Sequence, residues 1–148
     1  MKILCVFLLL ITSQLVHGQT TSISDQHPLA DIQVQFLDQQ GRWHRLQKIP
    51  NHRYPQELLN VEGKGCAIGH FDISTSGQVK NIKIANIDPT RFSKQLQKVT
   101  RQLIRDWRWP EQEQQTELTM RFDYCYESDK TRDEITQHCI TQSEQECD

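Results

Sequence analysis

One segment restricts the fold more than any other. Between Asp88-Pro89 and Pro110, the apolar residues Phe92, Leu96, Val99, Leu103, Ile104 and Trp107 recur at helical spacing. Arg91, Lys94, Gln95, Gln97, Lys98, Arg101 and Gln102 occupy the other face. The pattern predicts one long amphipathic helix whose stripe has to be buried. Asp88 is expected to cap its free N–H groups, and Pro89 suits the first turn, where an amide hydrogen would go unbonded. Pro110 prevents continuation. Trp107-Arg108-Trp109-Pro110 is read as the end of the stripe, with the second indole closing the helix onto its partner surface.

The flanking segments supply that surface as strands. Strand A runs over about 66–73, with Ala67, Gly69, Phe71 and Ile73 on one face and Cys66, Ile68, His70 and Asp72 on the other. Ser74-Thr75-Ser76-Gly77 is a hairpin turn into strand B, about 78–87. Its apolar spacing changes from two to three between Val79 and Ile82, which predicts a bulge. Strand C covers about 117–126, where Leu118, Met120, Phe122, Tyr124 and Tyr126 alternate with Thr119, Arg121, Asp123 and Cys125. Before strand A, Tyr54-Pro55 opens a short helix that Gly63 and Gly65 end.

These elements predict an α+β fold: a three-stranded antiparallel sheet in the order B-A-C, with the short and long helices on one face. Alternation of Ile32, Val34 and Phe36 with Asp31, Gln33 and Gln35 gives a further half-buried strand. The turn Gln39-Gln40-Gly41 leads to Trp43, Leu46 and Ile49, so an N-terminal hairpin can extend the sheet. Residues 19–49 are read as lead-in and hairpin, 50–126 as the domain, and 127–148 as a polar tail with a short helix near 131–141.

Residues 1–18 are different material. Lys2 precedes the unbroken apolar run Ile3 to Leu10, and Gly18 provides a small residue for cleavage. Thr12, Ser13 and Gln14 interrupt the run short of the roughly 20 apolar residues that span a bilayer. This is the layout of a secretory signal peptide, with cleavage expected after Gly18, a periplasmic mature chain and no stable membrane insertion. Cys5 falls inside the signal. That leaves Cys66, Cys125, Cys139 and Cys147, an even set that reads as disulfides in an exported chain. Four cysteines allow three connectivities, and spacing alone does not choose. Strand placement favours Cys66 with Cys125, because the start of A lies opposite the end of C on the same face, which leaves Cys139 with Cys147.

The formal net charge of -2 offers no basic field for nucleic acid. Gly-x-Ser-x-Gly, His-Glu-x-x-His and phosphate-binding glycine loops are absent. His70 is read as a solvated or hydrogen-bonded surface residue, and Asp72 and Asp123 as solvated carboxylates on an exposed sheet face. Cys-x-x-Cys is absent, and neighbours such as His138-Cys139 point about 100° apart on a helix, which suits a metal poorly. No catalytic activity, cofactor or metal is expected.

Arg53-Tyr54-Pro55, Val61-Glu62-Gly63-Lys64-Gly65, Phe71-Asp72-Ile73, Gly77-Gln78-Val79-Lys80-Asn81-Ile82-Lys83-Ile84 and Trp107-Arg108-Trp109-Pro110 occur in this order. Together they resemble the C-terminal domain of TonB over roughly residues 50–126. The resemblance implies the fold and a binding style. Such domains take the short N-terminal motif of outer-membrane transporters as an added strand. The membrane anchor and long proline-rich spacer of the transducers have no counterpart in the residues read here. In the order B-A-C, strand C is an edge, so Leu118, Thr119, Met120, Arg121, Phe122, Asp123 and Tyr124 are the expected peptide-binding edge. The expectation is an envelope module that captures a protein or peptide, such as an outer-membrane transporter. The alternative is a stand-alone interaction protein that covers the edge as a homodimer.

Overall fold

The computed structural model describes residues 29–50 and 53–147. The expected signal peptide (1–18) and the start of the lead-in (19–28) lie outside the described residues. The elements run β1 (Leu29–Leu37), β2 (Trp43–Arg45), α1 (Gln56–Leu59), β3 (Gly65–Ile73), β4 (Val79–Asp88), α2 (Ser93–Asp106), β5 (Thr116–Glu127) and α3 (Arg132–Gln142). The sheet is antiparallel with five strands in the order β2-β1-β5-β3-β4. Strands B, A and C are β4, β3 and β5, adjacent as expected, so the three-stranded sheet is the inner part of a larger one.

The helix stripe behaves as its spacing requires. Leu96, Val99, Ile104 and Trp107 are buried with Met120, Phe122 and Tyr124 of β5 and Ile32 and Val34 of β1. The ring centroids of Trp107 and Phe122 are 5.7 Å apart, and those of Trp109 and Phe71 6.3 Å. At Gly69 a Cβ would stand 2.7 Å from Ile104 Cδ1, so the missing side chain is what lets α2 lie close on β3. The Thr100 hydroxyl meets the Tyr124 phenol at 2.9 Å inside this layer. Tyr54 donates to the Gly63 carbonyl and stands edge-on to Tyr124.

The helix start differs from expectation. Asp88 is still paired with Cys66 as the last residue of β4, so it caps nothing. Pro89 leads into a 3₁₀ turn (Thr90–Phe92), and α2 begins at Ser93 without a side-chain cap. The bulge near Asn81 is present: His70 faces Lys83, whereas Asp72 faces Lys80, and Asn81 has φ of 54°. A second lies at Asn86, φ 43°. Asparagine tolerates this left-handed backbone better than most side chains.

Two further expectations are corrected. Helices do not pack on one face alone: α3 lies on the other face, against β1 and β5. The tail contains too few apolar residues for a stripe, and its attachment is covalent. The disulfides are Cys66–Cys147 and Cys125–Cys139, with Cα separations of 5.9 and 5.5 Å. The register explains why Cys66 does not join Cys125. Cys66 faces Asp123, while Cys125 lies past the end of the β3 pairing and faces Asp31 of β1. There Cys139 of α3 packs over it, beside Ile135.

Candidate binding site

Strand C was expected to be an edge, and here it is the centre. β1 pairs with β5 from Leu29↔Glu127 to Phe36↔Met120, while β3 pairs with it from Gly65↔Tyr124 to Ile73↔Thr116. Met120, Arg121, Phe122, Asp123 and Tyr124 are therefore flanked on both sides. Leu118 and Thr119 pair with β3 and lie past the last β1 pair. The hairpin that sequence offered as an extension is what covers the edge.

Among the described residues the edges are β4 and β2. β4 is blunted in the ways natural edges are: two bulges break its line, and Lys80 and Lys83 are exposed on it. Arg101 also donates to the Ile82 carbonyl at 2.9 Å. β2 is short, and its three pairs with β1 run without a register shift. Asp38 N–H donates to the Arg42 carbonyl at 2.9 Å, and Leu46 N–H to the Val34 carbonyl at 2.8 Å. In an antiparallel ladder the main-chain groups alternate. Residues 42, 44 and 46 therefore turn toward β1, and the N–H and C=O groups of Trp43 and Arg45 turn outward.

On the α3 face, the register builds a row across four strands. Arg45 faces Gln35, Gln35 faces Arg121, and Arg121 faces Ile68. This row is the floor of a trough of about 650 Å³, with tail residues 143–147 as a wall and Trp43 at the β2 end. Trp43 is 37% exposed, large for an indole.

The middle of the floor, Gln35 and Arg121, is polar and buried. Arg121 grips Asp123 with Nε and Nη2, both at 2.9 Å, and Asp123 is fully buried. The expectation of solvated carboxylates fails at Asp123, because α3 covers the face that alternation alone leaves open. Arg121 also donates to the carbonyl of Gln142, the last residue of α3, at 3.1 Å, and to that of Gln145 in the tail beyond it. A helix C-terminus carries partial negative charge, and a cation there is favourable. Burial pushes the Asp123 carboxyl above its ordinary value, against the pull of Arg121. Gln35, 7% exposed, donates through Nε2 to Ser143 Oγ at 3.2 Å. Among the described residues its Oε1 and the Nε of Arg45, both buried, have no hydrogen-bond partner. Such orphans are uncommon, and each carries a desolvation cost.

In the sequence, Gln35 and Trp43 stand out only as strand and hairpin residues, and Arg45 not at all. The one available signal was the alternation of Gln33 and Gln35 in β1, which reads the same for a solvated face as for a covered one. His70 Nδ1 meets Thr119 Oγ1 at 2.9 Å, and Asn81 donates to Asp72 at 2.6 Å. Among the described residues no group of His, Cys, Asp and Glu is placed to hold a metal, and no helix is long and apolar enough to cross a membrane.

The family model for the Gram-negative bacterial TonB protein C-terminal matches residues 50–125. No curated protein matches the chain. The matched segment holds α1, β3, β4, α2 and nearly all of β5, which is the span of the resemblance noted from sequence motifs. It covers more than half of the chain, so the chain belongs to the family of TonB C-terminal domains, a family of non-enzymatic protein-interaction domains of the Gram-negative envelope.

Proposed function

We propose that this is an exported, periplasmic protein-binding module that takes an extended segment of an envelope protein, such as an outer-membrane transporter, as a strand along the outer edge of β2. One observation carries the reading: β5 is enclosed and β4 is bulged and capped, while the main-chain groups of Trp43 and Arg45 turn outward. Strand addition draws affinity from such groups and specificity from recesses beside the strand. The trough lies beneath the face that Trp43 and Arg45 share. The family membership supports protein binding in the envelope.

The test is a photo-crosslinking residue at position 43 of the exported protein, with a control at the exposed Lys94 on α2. The expected result is an adduct with an envelope protein from position 43 only. It should be lost with Arg45→Pro, because proline removes an outward N–H and leaves the β1–β2 ladder intact. Equal adducts from both positions, or an adduct indifferent to Arg45→Pro in a folded variant, overturn the proposal. An adduct of twice the chain mass replaces it with the homodimer.

A further inference from the structure

The trough has a chemical character of its own. Its wall carries Glu144 and Glu146, both exposed. The floor carries two guanidinium groups, but Asp123 neutralises that of Arg121 through two 2.9 Å hydrogen bonds. The wall's two carboxylates thus face the remaining guanidinium of the floor, that of Arg45, whose field also reaches Asp123. Beside them Trp43 offers an exposed aromatic surface, and Gln35 holds a buried acceptor with nothing to accept from.

We propose that the trough is a subsite for a lysine or arginine side chain of the captured segment. A cation is attracted to an indole face. At the β2 end of the trough it lies over Trp43, with Glu144 and Glu146 to receive its N–H groups. The orphaned Gln35 acceptor lines the same floor. The orphaned donor on Arg45, directly across the ladder from Gln35, is complementary to a carbonyl of the same segment. A glutamate or aspartate side chain meets two carboxylates here, and an aliphatic one leaves the Gln35 acceptor unpaired. Side chains along an added strand alternate in direction. Those on the face of Trp43 and Arg45 point over the trough, so the subsite reads every second residue of the segment.

The attachment of this side chain to an added strand rests on the proposed function; the chemistry of the trough does not. The experiment therefore uses probes too short to add a strand. The protein is titrated with N-acetyl-lysine methylamide and its norleucine and glutamate counterparts, and amide and indole resonances are followed. The lysine probe is expected to shift the Trp43 indole and Gln35 side-chain signals saturably, about tenfold more tightly than norleucine, with no saturation by glutamate. Glu144→Gln with Glu146→Gln should weaken the lysine probe about tenfold. Both positions are exposed, so the fold is unaffected. Equal responses to the three probes, or a response indifferent to the double variant, overturn the subsite. Binding of the lysine probe together with failure of the crosslink at position 43 supports the subsite and rejects the strand. The converse keeps the strand and rejects the subsite.

Discussion

Alternate residues of β5 face two different interiors. On one side, Met120, Phe122 and Tyr124 meet the stripe of α2 in an apolar layer. On the other, Arg121, Asp123 and Cys125 meet α3 and the tail, and all three are buried as well. The first face is held by apolar area removed from water, each large side chain contributing about 1.5–3 kcal/mol. The second cannot be. α3 has no apolar stripe, and Ile135 and Cys139 are its buried residues. That face is held by two disulfides, a bidentate ion pair and hydrogen bonds to helix-end carbonyls. A strand with perfect alternation can thus be central and covered on both sides when its polar half has specific partners.

The largest expected effect tests whether the two faces are separate. Cys66–Cys147 closes a sequence separation of 81 and Cys125–Cys139 one of 14. Loop entropy assigns them about 4.5 and about 3 kcal/mol. Replacing each pair by alanine should lower unfolding free energy in that order. Mild reduction of the native protein should release α3 to rapid amide exchange while the Trp107 and Trp109 fluorescence persists. Loss of both signals together would show one cooperative unit and end the distinction.

A smaller effect separates charge from burial. Asp123→Asn leaves Arg121 buried without its carboxylate and should cost on the order of 3 kcal/mol in denaturant unfolding. Replacing both partners, Arg121→Met with Asp123→Leu, should recover most of that cost, because an apolar pair needs no desolvation of ions. If the double variant is as unstable as the single one, the carbonyls of Gln142 and Gln145 depend on Arg121 more than Asp123 does.

The two faces also differ in how far sequence reveals them. The α2 stripe, the β3–β4 hairpin and the bulge at Asn81 follow from periodicity, because burial of an apolar residue is written in its own side chain. Pairing of β1 with β5 is not written anywhere: Ile32, Val34 and Phe36 say that one face is buried and not which strand lies alongside. The same limit applies to the cysteines. Cys66 and Cys125 do share a face, but the partner of each depends on where a tail without an apolar stripe lies. Arg121, Asp123 and Gln35 alternate just as solvated residues do. Their burial, and with it the trough, becomes visible only once α3 is in place.

The smallest effect divides the pH scale between the faces. On the α3 face, Lys64 Nζ stands 2.9 Å from Glu127 Oε1, with His138 Nε2 at 3.4 Å from the same oxygen. The hydrogen bond from Lys64 is the main cause that holds the Glu127 carboxyl below its ordinary value. A depressed carboxyl contributes stability that is complete above the unfolded value, about 4.3, and is lost as pH falls through the folded one. On the α2 face, burial pushes the Tyr54 and Tyr124 phenols above the ordinary tyrosine range. The folded state there prefers the protonated form, so its contribution is intact below about pH 10 and declines above it. Asp38, in the turn between β1 and β2, is held at about 2, chiefly by the Arg42 N–H, so its contribution falls over the same acid range and is left in place by Lys64→Met. Lys64→Met should therefore raise the Glu127 midpoint toward its ordinary value in a carboxyl-carbon NMR titration. It should also flatten the fall in stability below the unfolded carboxyl value, about 4.3, and leave the alkaline limb unchanged. A Glu127 midpoint that does not move would remove Lys64 as the cause, and an alkaline limb that moves with it would show that the two faces share their titration.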